Sequence, residues 1–132
     1  MDTVSQEKRS EIMAAVKSEN TRPEIRVRSK LHRMGYRFRL HGKELDGKPD
    51  IVLKKLKTAI FVHGCFWHRH DCKKATMPSS NFEYWEAKFK RNIERFSKIR
   101  ASLQKEGWRV LVVWECQTEK EKDLEEWIEK NL

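Results

Sequence analysis

Glycine and proline are scarce in this chain, five and three among 132 residues, and they never cluster. That leaves no material for a flexible linker or a low-complexity tether. No segment repeats, and the length suits one compact domain rather than two. No run of 18 apolar residues occurs, which excludes an ordinary transmembrane helix. The opening Met1-Asp2-Thr3-Val4-Ser5-Gln6 lacks the basic-then-apolar profile of a secretory signal. Cysteine is also rare. Three is an odd number, and in a chain without an export signal it argues for metal ligation over a disulfide framework.

Charge is what the chain has in quantity. Charged residues make up 37% against 38% hydrophobic, so the core is small and in need of reinforcement. The net charge of +9 favours a polyanionic partner, and nucleic acid fits best. Its distribution sharpens this: residues 1–40 carry ten Lys/Arg against five Asp/Glu, while residues 118–132 carry three against six. The expected location is the cytoplasm, or wherever DNA lies.

The pattern predicts α/β architecture. Residues 5–18 read as a short helix with Ile12, Met13 and Val16 on one side. Thr21-Arg22-Pro23-Glu24 opens a second, with Thr21 as cap, Pro23 in the first turn and Glu24 placed for a capping box, and Gly35 ends it. Residues 36–40 alternate apolar and basic, as a half-buried strand does. Residues 49–53 and the nearly all-apolar 58–62 are two further strands, the latter buried on both faces. Ser80 is placed to cap a long helix reaching about Glu106, with Phe82, Trp85, Phe89, Ile93, Phe96 and Leu103 inward and Gly107 as its stop. Residues 108–114 form the last strand, and Thr118 caps a closing helix that packs Leu124, Trp127 and Ile128. The order ααβββαβα implies a mixed central sheet between helices.

The richest stretch runs from Phe61 to Cys72: Phe-Val-His-Gly-Cys-Phe-Trp-His-Arg-His-Asp-Cys. It holds two of the three cysteines and three of the five histidines. Structural zinc wants four soft or borderline ligands in a tetrahedron. Cys65, His70 and Cys72 from this loop, with Cys116 from the end of a neighbouring strand, supply three thiolates and an imidazole. His63 and His68 are alternatives to His70, since spacing does not choose among them. Such a knot would brace a loop that a small core cannot hold by packing. The competing reading is three unrelated buried thiols.

Asp50 opens a strand whose neighbour ends in Val62-His63. A hard cation such as Mg²⁺ needs only one or two protein oxygens, with water and phosphate filling the rest. Asp50 and a strand-end carbonyl would therefore suffice, although a turn aspartate is the commoner explanation of such a residue. Hydrolysis also needs a proton handler; His68, beside a zinc ligand, would be pre-oriented for that work. Phe66-Trp67 is held where both rings cannot easily tuck inward, which suits stacking on or between bases. The alternative is that the two rings cover the zinc site.

Together these residues resemble the very-short-patch-repair (Vsr) mismatch endonucleases. The likeness rests on Arg9-Ser10-x-x-Met13, Thr21-x-Pro23-Glu24, Gly47-x-Pro49-Asp50, Phe61 through His68, His70-x-Cys72, Gly107-Trp108-Arg109-Val110 and Trp114-Glu115-Cys116. It implies a restriction-endonuclease-like fold of PD-(D/E)xK type over residues 1–132, with residues 1–20 as a DNA-contacting helix or arm. It implies a Mg²⁺-dependent nick 5′ to the thymine of a T·G mismatch, the lesion left by 5-methylcytosine deamination. Asp50 and the Val62 main-chain carbonyl would hold Mg²⁺, His68 would be the general acid/base, and His63 and Glu24 would share the catalytic site. Cys65, His70, Cys72 and Cys116 would hold structural Zn²⁺. Phe66, Trp67 and Trp85 would wedge into the duplex from one groove, and Met13 and Val16 would approach from the other. Lys88 and Asn92 fall where the family reads the mismatched pair. The partners implied are mismatched double-stranded DNA, mismatch-repair proteins and a cytosine-5 methyltransferase system, with no membrane and a monomeric chain.

Two departures stand out. The Glu-x-Lys of the wider nuclease fold is replaced by Phe61-Val62-His63, as it is throughout the family. Phe96 stands where a family member carries an aspartate that supports the catalytic histidine, leaving Glu24, Glu94 or water to substitute. Two other functions fit the same residues. One is a zinc-stabilised DNA-binding module without catalysis. The other is a nicking nuclease attached to a restriction–modification system with its own recognition sequence.

Overall fold

The computed structural model describes residues 20–65 and 80–132. The helix expected over residues 5–18 therefore lies outside the described residues, as do Met13, Val16, Phe66, Trp67, His68, His70 and Cys72. The described elements are α1 (Arg22–Arg33), β1 (Arg39–Leu40), β2 (Ile51–Leu53), β3 (Thr58–His63), α2 (Phe82–Lys105), β4 (Arg109–Trp114), α3 (Glu115–Thr118) and α4 (Glu121–Asn131). The sheet order is β1-β2-β3-β4, antiparallel except for the parallel pair β3–β4. A parallel pair cannot be closed by a tight turn, and the crossover here includes α2.

Each face of the sheet has its own core. On one side Val27 and Leu31 of α1 and Leu124 and Ile128 of α4 pack on Ile51, Leu53, Ile60 and Val113. On the other, Leu103, Ile99 and Phe96 of α2 cover Ala59, Phe61, Val110 and Val112. This explains the nearly unbroken apolar run of β3, which is covered on both faces. Lys30 joins the two helices of the first layer, donating to Glu121 and Glu125 at 3.2 Å each. Among the described residues no helix is long and apolar enough to cross a membrane.

Several expectations need correction. Residues 36–38 do not extend β1, whose pairing with β2 stops at Arg39–Val52; Tyr36 and Phe38 instead pack against the first core. Asn81 rather than Ser80 occupies the N-cap of α2, in the left-handed conformation that asparagine tolerates better than most residues, without a side-chain capping bond. Phe82 and Ile93 are exposed, whereas Lys88, Asn92 and Ile99 turn partly inward with Phe89, Phe96 and Leu103. At 3.6 residues per turn, position 93 falls about a sixth of a turn from the line through 89, 96 and 103, on the side away from 92 and 99. An extra helical turn, α3, follows β4 directly. Gln117 Oε1 accepts the Trp114 N–H at 2.8 Å, and the Thr118 hydroxyl donates to the Glu115 carbonyl at 2.8 Å. Thr118 thus closes α3, and Lys120 is the N-cap of α4.

Candidate active site

Two acids meet at the corner where β2 begins and β3 ends. Ile51 pairs with Ile60, so Asp50 stands beside the last residues of β3. Its Oδ2 accepts the Val62 N–H at 2.7 Å. A residue in an antiparallel strand sends its N–H and C=O to the same flank. The Val62 carbonyl therefore leaves β3 on the side that faces Asp50.

Glu24 comes from the first turn of α1 and is only 5% exposed. The Thr21 hydroxyl accepts its N–H at 3.4 Å, as an N-cap does. A capping box would return the Glu24 carboxylate to the N–H of Thr21. Here its Oε2 instead accepts the Asn20 N–H at 2.8 Å, and the carboxylate lies beside that of Asp50. Half of the cap is kept, and the carboxylate is turned into the corner. His41 completes it. Its N–H donates to the Asp50 carbonyl at 3.1 Å, and its Nε2 lies 3.6 Å from Glu24 Oε2.

Burial, and then the neighbouring Glu24 charge, push the Asp50 carboxyl up to about 7 against the opposing pull of the Val62 N–H. Near neutrality the Asp50 carboxyl is therefore only partly ionised unless a cation takes the place of its proton. Because the folded-state value exceeds the ordinary 3.8, the native state binds more protons than the unfolded chain between about pH 4 and 7. This group's contribution to stability is thus full below that window and is lost as pH rises through it. Metal-free protein is expected to lose thermal stability from pH 5 to pH 8. Asp50→Asn should flatten that slope, and Mg²⁺ should raise the melting temperature more at pH 8 than at pH 5. Parallel melting curves check all three.

The donor set fits a hard cation: one or two carboxylates and a main-chain carbonyl, with room in the coordination shell for water and phosphate. The two described cysteines follow β3 and β4. His63 pairs with Trp114 across β3 and β4, and Cys65 and Cys116 each follow two residues later, so both reach the same end of the sheet. Cys65 is buried and Cys116 half-buried, in α3 rather than at the strand end. His70 and Cys72 lie outside the described residues. Among the described residues no group of three or more His, Cys, Asp or Glu side chains is placed to hold a metal.

The His63 ring turns to the face covered by α2. It packs edge-on against Phe96 at 4.4 Å, Trp114 at 5.3 Å and Phe61 at 6.1 Å. Phe96 also meets Phe61 at 5.2 Å, so it serves the core beside β3. From Phe96 back to Phe82, α2 runs about 20 Å past the end of β3. Trp85, Lys88 and Asn92 sit on this overhang. Trp85 stacks with Phe89 at 5.9 Å, and Lys88 Nζ lies 5.8 Å from the Trp85 ring and 6.0 Å from that of Tyr84. Tyr84, which the helical pattern did not single out, and Phe82, which it placed inward, add two exposed aromatic rings. His41 was also missed, although extending the Leu40–Ile51 pairing by one residue sets it opposite Asp50.

A family model described as DNA mismatch endonuclease Vsr matches residues 1–74, more than half of the chain. The chain is 51% identical over 116 residues to type II nicking enzyme V.XorIIP of Xanthomonas oryzae pv. oryzae, covering 88% of this chain and 85% of that protein. It is 46% identical over 116 residues to type II nicking enzyme V.NmeAIP of Neisseria meningitidis, with 88% and 83% covered. It is 41% identical over 129 residues to DNA mismatch endonuclease Vsr of Escherichia coli, with 91% and 83% covered. A reading as a non-catalytic binding module does not survive these matches. The chain belongs to the Vsr family of DNA endonucleases.

Proposed function

We propose that this endonuclease nicks one strand of duplex DNA on the 5′ side of the thymine in a T·G mismatch produced by 5-methylcytosine deamination. The observation that carries the hydrolytic part is the buried Asp50–Glu24 pair, pinned to the end of β3 by the Val62 N–H. Asp50 and the Val62 carbonyl would hold Mg²⁺, which when bound supplies Lewis acidity toward the phosphate oxygens. Glu24 keeps the corner anionic and fixes the Asp50 carboxylate. His68 handles the proton of the attacking water, and His63, at the end of β3, shares the site. Cys65, His70, Cys72 and Cys116 hold one structural Zn²⁺, which gives the loop its rigidity.

Recognition falls to the overhang and the loop. Phe66, Trp67 and Trp85 wedge at the mismatch, Lys88 and Asn92 contact the mismatched pair, and Met13 and Val16 approach from the opposite groove. Mismatch-repair proteins and a cytosine-5 methyltransferase system are the expected partners of a cytoplasmic enzyme of this kind.

A second reading has its own support. Two of the relatives just described are named type II nicking enzymes, which favours a nickase attached to a restriction–modification system with its own flanking sequence. One assay separates the readings: nicking of duplexes bearing each mismatch in several flanking contexts, with and without Mg²⁺. Cleavage 5′ to T, confined to T·G and requiring Mg²⁺, is expected, and the preferred context identifies the associated methyltransferase sites. Equal cutting of matched duplex, or no product with any metal, contradicts the proposal. Metal analysis of the same preparation should find one zinc per chain.

A further inference from the structure

We infer that His41 is a positioning residue of the nuclease site, its imidazole holding the Glu24 carboxylate in place against Asp50. The inference rests on the reading of the Glu24–Asp50 corner as the hydrolytic centre. His41 follows β1 directly, opposite Asp50 in the continued β1–β2 pairing. Two backbone bonds clamp this position: its N–H donates to the Asp50 carbonyl at 3.1 Å, and the Gly42 N–H donates to the Pro49 carbonyl at 3.0 Å. His41 also adopts φ of +49°, a left-handed conformation that costs a residue with a Cβ free energy and is found where surrounding structure imposes it. The consequence is an imidazole directed into the protein, with Nε2 buried and 3.6 Å from Glu24 Oε2. That separation is an electrostatic contact rather than a full hydrogen bond. A small approach of Glu24 would convert it to one.

Glu24 is thereby held from two sides, by the Asn20 N–H at 2.8 Å and by His41. A carboxylate in an acid pair repels its neighbour and would swing to solvent if it were free. The restraint from His41 keeps it in the corner, where a divalent cation can be shared. Partners that orient a metal site's carboxylates typically change metal affinity or activity by roughly 10- to 100-fold when removed.

The left-handed backbone gives a clean test. Asparagine tolerates that conformation well but is too short to reach Glu24. Glutamine places an N–H donor close to where the imidazole Nε2 lies. His41→Asn should keep the melting temperature of the metal-free protein while weakening Mn²⁺ binding, read by calorimetry, by roughly 10- to 100-fold, with nicking falling in step. His41→Gln should recover most of both. Wild-type Mn²⁺ affinity and nicking in His41→Asn overturn the proposal. So does an equal loss in both variants with a falling melting temperature, which assigns His41 to the turn alone. Asp50→Asn is run beside them. If that variant also binds Mn²⁺ and nicks normally, the underlying reading of the corner fails; if it is dead while His41→Asn is intact, only the role of His41 fails.

Discussion

Asp50→Asn is expected to reduce nicking by roughly 10³-fold or more while leaving the fold and DNA binding intact. An asparagine Oδ1 can still accept the Val62 N–H that Asp50 Oδ2 accepts at 2.7 Å. The strand junction therefore survives, and only the negative charge is lost. A metal's stabilisation of transition-state charge is worth several kcal/mol, and about 4 kcal/mol corresponds to the stated rate loss. The folded protein gains rather than suffers. One member of a mutually repelling, buried acid pair becomes neutral, so the melting temperature of the metal-free variant at pH 8 should equal or exceed that of the parent. Single-turnover nicking, gel-shift binding without metal and thermal melting together separate a catalytic loss from a structural one.

Gly47→Ala is expected to carry the largest cost in stability. Gly47 has φ of +75°, and a methyl group there would collide with the side chain of Ile99, which is packed in the α2-side core. The left-handed backbone costs a residue with a Cβ about 1–2 kcal/mol, and overpacking adds about 1–3 kcal/mol. A total of about 3 kcal/mol lowers the melting temperature by about 10 °C in a domain of this size. Because the loop through Gly47 delivers Pro49 and Asp50 to the corner, nicking should fall well below the melting transition too. Gly42 gives a useful comparison, since a methyl there meets Val52 without a positive φ. Its substitution should cost less.

What the sequence could reveal followed from local rules. The nearly all-apolar 58–62 announced a doubly covered strand, Thr21 and Pro23 announced a helix start, and Gly35 and Gly107 stand at the two helix ends with positive φ. What it could not reveal depended on partners far along the chain. Phe82 and Ile93 are apolar enough to be read as inward, but the direction of α2 is set by where Phe96 and Leu103 meet β3 and β4. β1 is reduced to the two residues that pair with Val52 and Ile51, and the packing of Tyr36 and Phe38 on the distant core is not contained in any window over residues 36–40. The short helix α3 arises from Gln117 folding back on Trp114, a bond between neighbours that apolar periodicity does not register.

The candidate site divides in the same way. Asp50 beside the end of β3 was legible because adjacent strands must pair, and pairing fixes what stands at their ends. Glu24 was ambiguous by chemistry: the residue that completes a helix cap is the same carboxylate that an acid pair needs. The structure shows it using its N–H for the cap and its carboxylate for the corner. His41 stayed hidden because its relation to Glu24 spans two elements and requires a left-handed backbone, which a histidine does not advertise.

The most direct test of the account is the position of Mn²⁺ in crystals of the protein, located by anomalous scattering. A peak is expected at the corner, within oxygen-bonding distance of the Asp50 carboxylate and the Val62 carbonyl, and absent in Asp50→Asn. A preparation that nicks DNA with Mn²⁺ yet shows its only non-zinc peak away from Asp50 would contradict it.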